Sequence, residues 1–448
     1  MKSIHLTVGT RPSKLAITQT KAALEQIKKQ IPHLQFSLLP ITSTGDQDRT
    51  IDLRESPSDF FSRELDEALL SGKIDCAIHS AKDLPPTLPD GIDTFWLPWN
   101  EDPRDTLIFQ KGKTRADLPP NPKMGISSQR RADYCSTHFP NGIPLTIRGN
   151  IEERLAQLDE GKYNLLIMAI AALNRLGLQD RIDQPIETTE LPVPDAQGYL
   201  ALSIRSQDST TAFLRTLAPL HNRKILLTCS EILQSKAARL IQNMGGTPLP
   251  FPLIQIKNSL TEKIDLTDYN WLVLTSPSAV RSFFEQFQKK SLPKLLICGS
   301  GSAEELARHG IVADAAPRSE FNTDAIAQLA KTLFTSTDRV LRLRSQKAGT
   351  QLTELLRETG ATVHDHILYQ TLPAETPNQL PDFDTLFFAS SSAVELFFNR
   401  YPTPKNKTVL AIGNPTAKAL ERAGRPADLI PEQATLLSSF QILAQPNT

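Results

Sequence analysis

The second half of this 448-residue chain repeats itself, and that repeat narrows the choice of fold more than any other feature. LTSPSAVRSFF (274–284) matches FASSSAVELFF (388–398), and ICGSGSAEEL (297–306) matches AIGNPTAKAL (411–420) at the same offset. RKILLTC (223–229) resembles RVLRLRS (339–345), and GGTPLPFPLIQ (245–255) resembles TGATVHDHILYQ (359–370). Each copy reads as strand, small polar turn, helix. Two motifs held in one register predict two related α/β lobes facing each other across a cleft.

The first half alternates strands and helices without repeating. The pattern predicts strands at 4–8, 36–41, 75–78, 124–126, 145–147 and 165–169. It predicts helices at 13–30, 61–70, 130–138 and 151–160. Residues 96–103, rich in proline and acids, read as a crossover between domains. Residues 191–205 read as the return crossover and a final element, and 218–222 as a linker. A chain this long exceeds one hydrophobic core, so several domains are expected. Lys and Arg number 49 and so do Asp and Glu, which leaves no global basic field for nucleic acid. The N-terminus lacks the apolar run of a signal peptide, and no apolar stretch is long enough to span a bilayer. Cys76, Cys135, Cys229 and Cys298 have no paired spacing, which argues against disulfides or a zinc site and fits a reducing cytosol.

The chemistry concentrates at strand exits. AIHSAKDLP (77–85) reads as a strand running into a turn that presents His79, Ser80, Lys82 and Asp83. A lone carboxylate beside a lysine at such an exit suits proton transfer. Arg11 and Ser13 lie where the first strand becomes the first helix. Ser127, Ser128, Arg130 and Arg131 lie at the next junction. Arg148 and Gly149 form a third, with Asn150 as N-cap and Arg154 one turn later. Helix N-termini offer unpaired amides, and arginine offers a fork that grips carboxylate. In an open α/β sheet such junctions gather on one edge, so the expected ligand is small and carries several carboxylates or phosphates.

These motifs resemble a known family. HSAKDLP, EDPRD (101–105), SSQRR (127–131), IRGNIEERL (147–155) and LNRLGL (173–178) are similar to porphobilinogen deaminases, also called hydroxymethylbilane synthases. STGD (43–46) and Gln197-Gly198 add weaker matches, and the likeness covers roughly 4–215. It implies the joining of four porphobilinogens head to tail with loss of ammonia. By position Asp83 takes the catalytic carboxylate role, with Lys82 paired to it and also among the cations that would hold the substrate's acid groups. Arg11, Arg130, Arg131, Arg148, Arg154 and Arg175 would hold acetate and propionate groups, with Ser13, Ser80, Ser127, Ser128, Gly149 and Gln197 as further contacts. The resemblance also implies a dipyrromethane primer, which the family bonds to a cysteine in a Gly-Gly-Cys-like loop of a third domain. This chain leaves the likeness near Arg215, and none of its cysteines sits in that context. A covalent primer thus lacks its anchor, and a primer held only by salt bridges is the alternative. Ser56-Pro57-Ser58-Asp59 replaces a cationic loop of the family, and Ile126 stands where a threonine is usual.

Residues 223–443 resemble uroporphyrinogen-III synthases through the two-lobe repeat, TSPSAV (275–280), Tyr369-Gln370-Thr371, SSSAV (390–394) and AIGNPTAKAL. The implied chemistry is loss of hydroxide from hydroxymethylbilane and ring closure with inversion of the last pyrrole. Tyr369 would donate the proton to the leaving hydroxyl, and as a plain aromatic in a strand it would look the same. Thr275, Ser276, Ser390, Ser391 and Thr416 would contact ligand, and as plain helix caps they too would look the same.

The expected architecture is α/β throughout. A two-domain module like type II periplasmic binding proteins spans 1–217, with lobes 1–98 plus 197–217, and 102–193. A two-lobe, Rossmann-like module spans 223–448, with lobes 223–253 plus 373–448, and 256–370. A bifunctional cytoplasmic monomer of tetrapyrrole synthesis is expected. Its partners would be small pyrrole substrates, with no metal, nucleic acid or membrane. The rival readings are that only the second half catalyses, or that the first module merely binds pyrroles or another polyanion.

Overall fold

The computed structural model describes residues 4–47, 57–188, 190–260, 263–287, 292–317 and 322–445. Ser56 of the substituted loop lies outside them. The chain forms two compact units. Unit 1 comprises Met1–Arg223, Leu240–Thr247 and Phe440–Thr448, and unit 2 comprises Lys224–Arg239 and Pro248–Ser439.

Unit 1 holds two five-stranded mixed sheets. The first runs in the order Leu34–Pro40, Ile4–Thr10, Cys76–Ser80, Tyr199–Arg205, Ile92–Asn100. Tyr199–Arg205 is antiparallel to both its neighbours. The second runs Ile143–Thr146, Lys123–Ile126, Leu165–Ala169, Asp105–Phe109, Gln184–Ile186. The chain leaves the first sheet once, through 101–104, and returns to it as Tyr199–Arg205. Two lobes joined by two crossovers are the arrangement of type II periplasmic binding proteins.

Three details differ from the sequence reading. Residues 96–103 are not all crossover, because Ile92–Asn100 is a strand with Phe95, Trp96 and Leu97 buried. It is an edge strand with Pro98 exposed, and edge strands tolerate proline. His79 is not presented by the turn. It is a strand residue registered opposite Ala201 and is 8% exposed. The helix expected from 61 begins at Arg63, after Ser62.

Helix Lys14–Gln30 shows how the elements are fixed locally. The Ser13 side chain caps it by accepting from the Ala16 amide, and Lys28 and Lys29 sit at the negative end of its dipole. Its apolar stripe, Ala23, Leu24 and Ile27, packs with Leu6, Val8 and Leu34 of the sheet.

In unit 2 the repeat is visible strand by strand. A four-stranded sheet runs Thr247–Pro250, Lys224–Leu227, Thr385–Phe388, Thr408–Ala411. A five-stranded sheet runs Ile254–Asn258, Thr362–Pro373, Arg339–Ser345, Trp271–Leu274, Lys294–Ile297. Trp271–Leu274 leads through the Ser276 cap into helix Pro277–Gln286, and Thr385–Phe388 leads through the Ser390 cap into helix Ser391–Arg400. Both serines accept from the amide three residues on. The copies share smaller devices too. Asp314 takes the Leu295 amide at 2.8 Å, and Asp428 takes the Val409 amide at 2.7 Å. Phe283 and Phe397, equivalent in the two copies, are fully buried.

Candidate functional site

A cavity of about 680 Å³ opens in unit 1, within the usual size of a small-molecule site. The fourteen residues to which the resemblance gives a role in 1–217 all line it, and His79 does not. They arrive from strand exits on both sheets. Arg11 follows strand Ile4–Thr10, and Lys82 and Asp83 sit in the tight turn Ala81–Asp83 after Cys76–Ser80. Ser127, Ser128, Arg130 and Arg131 follow Lys123–Ile126, at the start of helix Gln129–His138. Arg148 and Gly149 lead into helix Ile151–Asp159, which carries Arg154. Arg175 ends helix Ile170–Arg175, and Gln197 lies on the return crossover. Ser13 and Ser80 complete the wall, Ser80 donating to Gln19 at 3.1 Å.

Two glycines allow close approach. Gly149 has φ +107°, and a Cβ there would stand 2.6 Å from the Glu153 carboxylate. That carboxylate is committed to the Asn150 amide in a reciprocal cap. Gly198 has φ +92°, and a Cβ there would meet the Glu101 carbonyl at 2.5 Å. The two crossovers pass too closely there for any side chain.

Acidic groups that the sequence reading left without a role hold the cations in place. Asp105 is fully buried and takes Arg130 at 2.6 Å, Arg131 at 2.8 Å and the Gln197 amide at 3.0 Å. Burial would raise its pKa, but the two guanidinium groups outweigh that and hold it below the carboxylate range. Asp46 grips Arg11 with both oxygens. Its pKa is raised by burial and lowered further by Arg11, the net direction being down. Arg11 also lies 4.2 Å above the Phe61 ring and 4.0 Å from Asp83. The motifs STGD and EDPRD contained both acids, but only the fold shows which cations they meet.

The remaining cations outnumber the acids. Among the cavity's lining residues seven are Arg or Lys, and Asp46, Asp83 and Glu152 are the acids. Burial, with Arg131 and Arg148 nearby, pushes the Arg154 guanidinium down to about 10. Burial lowers Arg175, which Glu101 opposes. Lys82 is exposed on the cavity wall. Desolvation lowers its pKa, Asp83 opposes that, and Arg131 adds to it. The Arg130 Nη1 and Ser128 Oγ atoms are enclosed without a partner among the described residues. Enclosed cationic donors of this kind call for an anion. His79, by contrast, is held neutral by burial and then by Arg11, its pKa falling to about 4.

In unit 2 the Tyr369 hydroxyl lies 3.1 Å from Ser276 Oγ, beside Thr275. Ser390 caps its helix, Ser391 donates to the Pro415 carbonyl at 3.0 Å, and Thr416 is buried in the next helix. These belong to different sheets, and among the described contacts only the Tyr369–Ser276 pair joins two of the named side chains directly.

The described cavity-lining residues include no cysteine. Burial pushes the Cys76, Cys135 and Cys229 thiols up to about 12, and Cys298 is half-buried and also raised. None is poised as a thiolate nucleophile.

Comparison with known proteins bears on both halves. A family model described as porphobilinogen deaminase, dipyromethane cofactor binding domain, matches residues 6–212. The porphobilinogen deaminase of Streptococcus sanguinis is 38% identical over 251 residues, 55% of this chain and 79% of that protein. The chain belongs to the porphobilinogen deaminase family. The enzyme of that name from Acetivibrio thermocellus is 39% identical over 204 residues, 45% of this chain and 69% of its own length. A second family model, uroporphyrinogen-III synthase HemD, matches residues 235–441, so the deaminase-type domain is fused to a synthase-type domain. The solved uroporphyrinogen-III synthetase of Helicobacter pylori aligns with 21% identity and a TM-score of 0.37, covering 50% of this chain and 98% of that one. Among the described residues no helix is long and apolar enough to cross a membrane.

Proposed function

We propose that this chain makes and then closes a linear tetrapyrrole. Unit 1 would polymerise four porphobilinogens to hydroxymethylbilane with release of ammonia, and the second half would cyclise that product to uroporphyrinogen III. The observation that carries the reading is the Asp83 carboxylate in a cavity whose walls hold an excess of guanidinium groups, the other two lining acids being paired, Asp46 with Arg11 and Glu152 with Lys14.

Porphobilinogen carries two carboxylate arms, and each unit added to the chain adds two more. Arg11, Arg130, Arg131, Arg148, Arg154 and Arg175 can pair with these arms while Asp105 and Asp46 keep the forks aimed inward. Loss of ammonia leaves a cationic methylene-pyrrole, whose charge the Asp83 carboxylate stabilises. The same carboxylate can take the proton released when the new carbon–carbon bond restores the ring. Lys82 beside it adds a cation for a neighbouring acid arm.

The enclosed Arg130 Nη1 and Ser128 Oγ, with Arg131 and Arg154, fit the acid groups of a dipyrromethane. Once bound, that group would supply a pyrrole α-position from which the chain grows. With no cysteine among the described residues of the cavity wall, ion pairs alone would hold it. A mass measurement tests both statements. Under denaturing conditions the polypeptide should show its sequence mass, and under native conditions that mass plus a dipyrromethane. Porphobilinogen should then add whole pyrrole units. A denatured chain still carrying the primer would refute retention by ion pairs. Binding without stepwise addition, and no uroporphyrin after oxidation, would refute the deaminase reading.

For the second half, Tyr369 is the proton donor to the departing hydroxyl, and Ser276 fixes its hydroxyl group. Chemically made hydroxymethylbilane should give the type III isomer, and Tyr369→Phe should slow its formation on the order of 10²-fold. Type I product alone from the unmodified protein would remove the synthase assignment.

A further inference from the structure

Unit 1 draws in residues from the far end of the chain, Phe440–Thr448. One of them touches the cavity wall. Gln441 Nε2 donates to the Tyr199 hydroxyl at 2.5 Å, across 242 positions of sequence. Tyr199 is 5% exposed and lines the cavity. Its ring stacks on Trp96 with centroids 4.8 Å apart. Burial raises the phenol's pKa, and Gln441 is the polar group that opposes the rise.

Tyr199 occupies a mechanically sensitive place. It is the first residue of the strand by which the chain re-enters the first lobe. The register against strand Ile92–Asn100 shifts between Tyr199 and Ala201. Gly198, just before it, accepts from Arg175 and from the Glu101 amide of the other crossover. Gln197 donates to Asp105 and to the Pro103 carbonyl. These three consecutive residues therefore bind both crossovers and reach three of the cationic wall groups, Arg175 directly and Arg130 and Arg131 through Asp105.

We propose that Gln441 is a positioning residue for this crossover. By satisfying the buried phenol it fixes Tyr199, and through Tyr199 the alignment of the Gln197–Gly198 segment with Asp105 and Arg175. The geometric part stands on the contacts alone, and its kinetic consequence rests on the deaminase reading. A phenol stripped of its partner in a buried site must move or recruit water, whereas deleting both polar groups relieves the conflict.

The test uses the full chain with Trp99→Phe and Trp271→Phe, which leaves Trp96 as its one indole. Gln441→Leu is expected to shift Trp96 emission. It should raise KM for porphobilinogen by about fivefold, with cyclisation of added hydroxymethylbilane unchanged as proof of an intact fold. Adding Tyr199→Phe to Gln441→Leu should return KM toward the parent value. Emission and KM both equal to the parent would overturn the proposal, as would a double variant no better than the single one. An emission shift in a parent protein that never consumes porphobilinogen would uphold the contact and refute the deaminase reading instead.

Discussion

Asp83→Asn is expected to cut turnover of porphobilinogen by roughly 10²–10⁴-fold while leaving binding of oligopyrrole in place. The substitution keeps the size of the side chain and removes only its charge and proton-accepting power. The neighbouring cations are anchored elsewhere, Arg11 by Asp46 and Arg130 and Arg131 by Asp105, so the carboxylate-binding walls should survive. Single-turnover kinetics should show slow ammonia release after normal uptake. A variant within about threefold of the parent rate would deny Asp83 the proton-transfer role.

Asp105→Ala is expected to be the most damaging substitution to unit 1. It would leave Arg130 and Arg131 side by side in a buried site with no counter-charge. Removing one partner of such an arrangement costs roughly 3–5 kcal/mol. Denaturant unfolding should show it as a lowered midpoint for the transition of unit 1. The pH dependence has a definite sign. The Asp105 pKa is depressed in the folded state, so its stabilisation is complete above the ordinary carboxylate value of about 4. It fades as pH falls below that value toward the lower folded one. The stability gap between the parent and Asp105→Asn should therefore be constant near neutrality and shrink under acid. A gap that grew on acidification would contradict the assigned ion pairs.

How much of this was legible without coordinates follows from range. Strand-exit arginines and the Lys82–Asp83 pair were readable because α/β topology sends such junctions to one edge. Local caps were readable for the same kind of reason, and Asn150 and Ser276 both cap the helices beside them. The counter-charges were not, because Asp105 meets Arg131 across 26 positions and nothing in the motif says which cation an acid will face. Strand Ile92–Asn100 was obscured by Pro98, whose edge placement makes it harmless. His79 read as a presented side chain because a strand end and a turn look alike in sequence. Gln441 had no local signal at all.

The four-stranded sheet of unit 2 has a consequence for biogenesis. Strand Lys224–Leu227 lies parallel to Thr385–Phe388, which a ribosome makes much later, after every strand of the neighbouring five-stranded sheet. The inserted sheet can close on itself while Ile225, Leu226 and Leu227, fully covered in the finished protein, wait without their main partner. A nascent chain paused before residue 385 should thus present a sticky apolar ribbon, a natural client for holdase chaperones and the point where overproduction would first meet aggregation.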